Sequence, residues 1–364
     1  MPDIRYTVVP ADLHAHLFTV VLAVAEPDPA GQVLVLPAWI RGSYKIRDFA
    51  RHVVRVEASC EGAPVAVEGV DKSTLRCAPC SGPLRVESVV HAHDPSVREA
   101  FLDAGRGFFN PSSLCYRVAG QEQAPCELIL QRPVEGGAGW QVATAMPPQQ
   151  VDVDGFGRYA AEDYEALIDH PFALGTMQRV EFEVGGIPHT LALSGRCAPD
   201  VERLRADLTA VCSAERAMFQ QQPKLERYVF LCDVQAKGYG GLEHRNSAAL
   251  VCSRGDLPQT GEATRSRAYR GFLGLVAHEY FHQWNVKRIT PQRFAESTLV
   301  VEAYIRDLWA YEGVTSYYDD LFILRGGCVD AAGWLDLLAA TATRYQRAPG
   351  RKQQSLADSS FAAW

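Results

Sequence analysis

The chain has 364 residues, 47% hydrophobic and 22% charged, with a formal net charge of −7. This is the composition of a globular protein with a sizeable core, long enough for two or three domains. An acidic balance without a basic block excludes nucleic acid and anionic membranes as expected partners. No oligomeric state is implied. The first residues, Met1-Pro2-Asp3-Ile4-Arg5-Tyr6, lack a charged start followed by an apolar run, so no signal peptide is read. No apolar run reaches the length of a membrane span. The asparagines Asn110, Asn246 and Asn285 form no glycosylation sequon. Of the ten cysteines, only Cys77 and Cys80 are close, in Cys77-Ala78-Pro79-Cys80. Without a second pair or a following helical pattern, they are read as a turn with two reduced thiols. The cytoplasm is the expected compartment.

Residues 1 to about 135 read as β. Short alternating or β-branched runs span Ile4 to Val9, His16 to Val24, Val33 to Leu36, Val53 to Ala58, Leu84 to His91, Leu114 to Val118 and Cys126 to Leu130. Turn signals separate them, which predicts a β-sandwich. The pairs His14/His16 and His91/His93 share a strand face but lack a carboxylate or cysteine companion, so they are read as structural. Arg106-Gly107-Phe108-Phe109-Asn110-Pro111 is read as an aromatic loop leaning toward a site in the next domain. A Pro/Gly-containing stretch from Glu135 to Gly157 marks the boundary. The expected architecture is α+β, with an N-terminal β-sandwich over 1–155 and a second domain over 156–364.

Past that boundary, Val180 to Val184, Gly185-Gly186 and His189 to Leu193 read as strand, turn, strand. Asp200 opens a helix with apolar residues at Val201, Leu204, Leu208 and Val211. Tyr228 to Val234 is a buried strand. The run Gly238-Tyr239-Gly240-Gly241-Leu242-Glu243-His244 is glycine-rich, but a strand-like Ser247 to Cys252 follows rather than a helix, which argues against phosphate binding. Glycines on an edge strand let a peptide backbone approach and add itself to the sheet. Gly240 and Gly241 are therefore candidate substrate-binding positions, with Glu243 an anionic group beside the bound peptide or, alternatively, a solvated surface charge.

A helix is expected over about Arg265 to Asn285, ended by Lys287-Arg288-Ile289-Thr290-Pro291. It carries His278-Glu279-Tyr280-Phe281-His282. At about 100° per residue, positions four apart lie about 40° apart on one face, so His278 and His282 address one point. Glu279 can reach a water held there. The pattern is that of a zinc site with a general base. The apolar flanks Phe272, Leu273, Leu275, Val276, Phe281 and Trp284 speak against an exposed helix face with chance histidines. A second helix is expected over about Leu299 to Arg325. Glu312, among aromatic and small residues, suits a third ligand, with Thr315 and Ser316 placed to orient it.

These residues resemble the glycyl aminopeptidase family of zinc metallopeptidases, peptidase family sixty-one of the metallo class. The likeness runs through His278 to Ile289, Glu312 to Asp320, Gly240 to His244, Leu36-Pro37-Ala38-Trp39-Ile40-Arg41-Gly42-Ser43-Tyr44 and Arg106 to Asn110. It implies a thermolysin-like (gluzincin) catalytic domain after the β-domain, one zinc ion, and removal of small N-terminal residues such as glycine or alanine. Related enzymes carry Gly-x-Met-Glu-Asn, whose glutamate binds the substrate amine; here Leu242 replaces Met, His244 replaces Asn, and Glu243 is matched. Longer members continue into further helices and a PDZ domain. The abrupt end at Ala362-Ala363-Trp364 suggests a longer parent protein. The resemblance places an oxyanion-stabilising tyrosine past Trp364, so the chain alone is expected to be a weakened catalyst.

The expectation is a zinc aminopeptidase. His278, His282 and Glu312 hold the metal, Glu279 is the base, and Glu243 binds the free N-terminus of a peptide substrate. Two alternatives stay open: a zinc endopeptidase, in which Glu243 meets no terminus, and a non-catalytic peptide-binding module.

Overall fold

A computed structural model describes residues 3–364. The chain forms two units: residues up to Met177 together with Thr298–Glu302, and Gln178–Ser297 together with Ala303–Trp364. The first is rich in sheet and the second carries the longer helices, a mixed α+β architecture. No helix among the described residues is long and apolar enough to cross a membrane.

In the first unit, residues that alternate in sequence become strands with one buried face. Ile4–Asp12 and Leu17–Val24 alternate buried and half-buried positions. They are neighbours within an eight-stranded sheet ordered Pro148–Val151, Gly157–Ala161, Cys126–Leu130, Ile4–Asp12, Leu17–Val24, Leu84–His91, Val53–Cys60, Ala63–Val65. Ile4–Asp12 runs parallel to Cys126–Leu130; the other pairs are antiparallel. Two four-stranded sheets complete the unit, one of which holds Ala100–Leu102, Arg106–Phe109, Phe172–Gly175 and Gln141–Ala143.

Several expectations shift here. Arg106–Phe109 is a strand, not a loop: Phe109 is fully buried, meets Phe18 edge-on at 5.5 Å and stacks on Phe172 at 5.0 Å. Aromatic rings in that run serve this unit's own core. The strand expected from Leu114 shrinks to Arg117–Val118, because the Leu114 and Cys115 N–H groups donate back to the Pro111 carbonyl at 3.1 and 2.7 Å, at the end of a 3₁₀ turn over Pro111–Ser113. The strands Pro148–Val151 and Gly157–Ala161 extend the first sheet, so this unit continues past Gly155, where the boundary was read. His14 and His16 lie in a turn, with His16 at φ 60 and its ring stacked on His93 at 3.9 Å.

The helix expected from Leu299 begins only near Trp309. Residues 298–302 belong to the first unit instead: Ala38 N–H donates to the Leu299 carbonyl at 2.7 Å, and Trp39 Nε1 to the Val301 carbonyl at 2.9 Å. A backbone tied into tertiary hydrogen bonds cannot also close helical ones.

The second unit holds a five-stranded sheet ordered Met177–Val184, Ile187–Ser194, Tyr228–Gln235, Ser247–Ser253, Tyr239–Glu243. Gly185 and Gly186, at φ 58 and 78, make the two-residue turn of the first hairpin, where left-handed geometry favours glycine. Tyr239–Glu243 pairs antiparallel with Ser247–Ser253 and is the edge of the sheet. Helix Val201–Met218 is capped by Asp200, whose carboxylate accepts from Arg203 N–H at 3.1 Å. It buries Leu204, Leu208 and Val211, the apolar face read from the sequence.

One buried polar joint fixes this helix to the segment that starts the next. Asp207, 3% exposed, accepts from Arg265 Nε and Nη2 at 2.8 and 2.6 Å and from the Tyr269 hydroxyl at 2.9 Å. Bidentate geometry and a third donor make it a strong contact. Asp207→Ala is expected to strand Arg265 and Tyr269 and to destabilise the unit by about 3 kcal/mol. A urea melt of the variant beside the wild type checks this.

Candidate metal-binding active site

The helix that carries the two histidines spans Arg267–Phe281. Ser266 caps it, accepting from Tyr269 N–H at 3.1 Å. Its apolar positions are core: Tyr269, Phe272, Leu273, Leu275, Val276, Tyr280 and Phe281 are all buried. Tyr280 packs edge-on against Tyr228 of the sheet at 4.8 Å, and Phe281 stacks on Tyr318 of the following helix at 5.5 Å. Burial on several sides leaves one stripe for polar groups, and His278, Glu279 and His282 occupy it. Expected to run to Asn285, the helix ends sooner. His282 is its C-terminal cap, and Trp284 and Asn285 continue in turns, their N–H groups donating to the Phe281 carbonyl at 3.0 and 3.1 Å.

Glu312 comes from an element the sequence did not disclose. Trp309–Gly313 is a π-helical turn leading directly into helix Val314–Arg325. Such turns re-aim side chains within a helix. Here Glu312 Oε2 lies 3.3 Å from His278 Nε2 and 4.0 Å from His282 Nε2. Donors about 2.0–2.2 Å from a tetrahedral ion stand about 3.3–3.6 Å apart, so the spacing is close to what one zinc ion needs. The other ring nitrogens face away: His278 Nδ1 donates to Asp319 Oδ2 at 3.0 Å, and His282 Nδ1 to the Asn285 carbonyl at 2.7 Å. Those bonds turn both Nε2 atoms toward Glu312 and favour the tautomer with a lone pair there. Burial lowers the proton affinity of His278, but the Asp319 and Glu312 carboxylates outweigh it and hold the imidazole well above its ordinary range. Carboxylates that favour a proton on His278 equally favour a divalent cation in its place. The donor set thus fits zinc in type, spacing and charge.

Glu279 and Glu243 stand beside this cluster. Donor atoms of Glu243, Glu279 and His282 all lie within 4.8 Å of one another. Glu243 is 3% exposed, and its Oε1 has no hydrogen-bond partner among the described residues. Gly241 lies on the same edge strand, and a Cβ there would stand 2.0 Å from Glu279 Oε1 and 2.3 Å from its Cδ. The glycine therefore makes room for the Glu279 carboxylate. Its neighbour Gly240 is half-buried on that strand. Every residue singled out for the site, namely Gly240, Gly241, Glu243, His278, Glu279, His282 and Glu312, lies in the second unit.

Sequence reasoning missed three contributors. Asp319, which holds His278, lies seven positions after Glu312, two turns along the helix, a signal that was present but unused. Asn285, close after the motif, donates its side-chain amide to Ala310, Tyr311 and Thr315. Glu215 is fully buried on helix Val201–Met218, both its oxygens without a hydrogen-bond partner among the described residues. Burial, with Asp319 nearby, pushes its carboxyl well above the usual range despite the opposing pull of His278. No periodicity in the sequence marks it.

The sequence matches the family described as Peptidase M61 N-terminal domain over residues 5–176 and that described as M61 glycyl aminopeptidase over residues 271–364. No curated protein matches it. Among solved structures, an aminopeptidase N family protein from Idiomarina loihiensis is 43% identical, with a TM-score of 0.96 over 99% of this chain and 61% of that one. The chain thus spans 61% of that relative's length. A variant of M1 zinc metallopeptidase from Deinococcus radiodurans is 14% identical, with a TM-score of 0.52 over 95% of this chain and 76% of that one, a likeness in fold.

The contact between Gly241 and Glu279 has a direct consequence. Gly241→Ala is expected to push the Glu279 carboxylate aside and to cost about 1–3 kcal/mol of stability through overpacking. A crystal structure and thermal melt of the variant check both. A Glu279 side chain left in place would mean that the strand yields instead.

Proposed function

Because this chain belongs to the M61 glycyl aminopeptidase family, we propose that it is a zinc-dependent aminopeptidase that removes the first residue from peptides with a free N-terminus. Small first residues such as glycine or alanine are the proposed substrates. The observation that carries the reading is the convergence of His278 Nε2, His282 Nε2 and Glu312 Oε2, with both Nδ1 atoms tied back. In the same proposal the first unit is a β-sandwich and the second a thermolysin-like, gluzincin domain, a reading supported by the likeness in fold to the M1 zinc metallopeptidase.

His278, His282 and Glu312 would hold the zinc. Bound there, the ion supplies Lewis acidity, lowering the pKa of a water and polarising the scissile carbonyl. Glu279 accepts a proton at its carboxylate from the attacking water and hands it to the leaving amine. An extended substrate would lie along the edge strand Tyr239–Glu243 and add to the sheet as a further strand. Glu243 takes the substrate ammonium at Oε1, a charge-assisted contact that sets where the peptide begins.

Two substitutions separate these roles. Glu279→Gln keeps the shape of the side chain and removes its basicity. Zinc content by metal analysis is expected to stay at the wild-type level, while kcat falls about 10²–10⁴-fold. Loss of zinc would assign Glu279 to the ligand set instead.

Glu243→Ala removes an ammonium–carboxylate contact worth roughly 1.5–3 kcal/mol, or about one to two decades in kcat/KM. Cleavage of free-amine peptides is expected to drop by that factor and that of N-acetylated peptides to change little, so the ratio between them narrows. A wild-type protein that cuts acetylated peptides as well as free ones would favour the endopeptidase reading.

A further inference from the structure

Between His282 and Glu312 lies a joint that no catalytic role explains. The Asn285 side-chain amide donates to the carbonyls of Ala310 and Tyr311 at 3.2 and 3.1 Å and to Thr315 Oγ1 at 3.0 Å. Thr315, fully buried, in turn donates its hydroxyl to the Tyr311 carbonyl. These acceptors flank Glu312 on both sides, two within the π-helical turn and one in the first turn of the helix that follows. Asn285 thus gives carbonyls in the re-aimed turn a donor from outside the helix. Its own backbone carbonyl meanwhile accepts from His282 Nδ1 at 2.7 Å. One residue therefore grips two of the three converging side chains, one through its backbone and one through its amide.

The backbone at this point is strained. Val286, immediately after Asn285, is 6% exposed and sits at φ 129, which a β-branched residue rarely adopts. The surrounding turn holds it there: Lys287 N–H donates to the His282 carbonyl at 3.0 Å and Ile289 N–H to the Trp284 carbonyl at 2.9 Å. Strain of this kind persists where neighbouring bonds over-determine it, and it gathers at functional sites. A relaxed Val286 would rotate the Asn285 carbonyl or its amide away from one of its two targets.

We infer that Asn285 is a positioning residue that sets the spacing between His282 and Glu312, and hence the affinity and geometry of the metal site. The inference rests on reading His278, His282 and Glu312 as ligands. Asn285 acts through the turn that carries Glu312 and through its carbonyl on His282. An aspartate in its place keeps the size but turns two donors into acceptors facing two carbonyls.

The experiment measures zinc affinity by competition with a chromophoric chelator, and the visible absorption of the cobalt(II)-loaded protein, in wild type, Asn285→Asp, Thr315→Val and Thr315→Ser. Asn285→Asp is expected to weaken zinc binding about 10–100-fold and to shift the cobalt bands. Thr315→Val should move both readouts the same way, and Thr315→Ser, which keeps the hydroxyl, should stay near wild type. Affinity within twofold of wild type and an unchanged cobalt spectrum in Asn285→Asp would overturn the inference, as would a lower melting temperature of the metal-free protein with no change in affinity. If Asn285→Asp fails to fold, the comparison of Thr315→Val with Thr315→Ser decides by the same criteria. A wild-type protein that binds no zinc would overturn the ligand reading, and the inference with it; normal wild-type binding with unaffected variants would overturn the inference alone.

Discussion

The second unit depends on one constraint: a helix buried by aromatic packing must still keep a stripe of ionisable side chains out of the hydrocarbon. Tyr280 and Phe281 anchor the helix to the sheet and to the next helix, and between them and the neighbouring turns lie His278, Glu279 and His282. Charged groups in such a place need partners. The fold supplies them from separate elements: Asp319 for His278, the Asn285 carbonyl for His282, Glu312 facing both rings. On the edge strand, Gly241 leaves room for the Glu279 carboxylate. Sheet edge, motif helix and π-helical turn are therefore coupled, since moving any one of them leaves a buried polar group misaligned.

How much of this was legible in the sequence follows from the range of each interaction. The motif helix was readable because the spacing of two histidines and the apolar period around them are local. Strands such as Cys126–Leu130 and the hairpin over Gly185-Gly186 were readable for the same reason. The edge position of Tyr239–Glu243 could be anticipated from its glycines and from the strand-like run that follows. The π-helical turn at Trp309–Gly313 could not, because the donors to its carbonyls come from Asn285, far away in sequence. The helix expected from Leu299 failed for a related reason: residues 298–302 have propensities that permit a helix, but their carbonyls are taken by Ala38 and Trp39. The aromatic run at Phe108-Phe109 misled in the opposite sense. Flanking glycine and proline suggested a loop, whereas the rings are needed for packing between two sheets of the first unit.

The acidic surroundings of the site have an electrostatic logic of their own. Glu215, Glu243, Glu279 and Asp319 gather around two imidazoles, with Glu312 facing them, and Asp320 lies beside Asp319. Burial raises the carboxyl of Glu215 well above its ordinary range, and burial with Asp319 nearby raises that of Asp320 to about 6. Burial thus favours a proton on Glu215, which relieves part of the surplus negative charge. Glu215 in its neutral form costs less to bury than a second anion behind Asp319 would. What remains near His278 and His282 is a cluster of carboxylates, and like charges in a low-dielectric site repel strongly unless a cation enters.

Under the proposed function two kinds of cation would meet these carboxylates at two different points, and the distinction bears on specificity. A divalent ion among His278, His282 and Glu312 would meet two neutral nitrogens and one carboxylate, a donor set suited to zinc. Glu243 lies to one side, buried, with Oε1 lacking a hydrogen-bond donor among the described residues. A buried carboxylate gains most from a partner that is both charged and a hydrogen-bond donor, which describes the ammonium of a peptide's first residue. Under the proposed function, an acylated terminus would offer a neutral amide and leave the carboxylate without its counter-charge, so it would be refused by the cost of an unpaired buried charge rather than by poor shape. In that proposal, selectivity for a free terminus follows from the burial of Glu243. Exposing that carboxylate to water should relax selectivity even if every contact to the metal is kept.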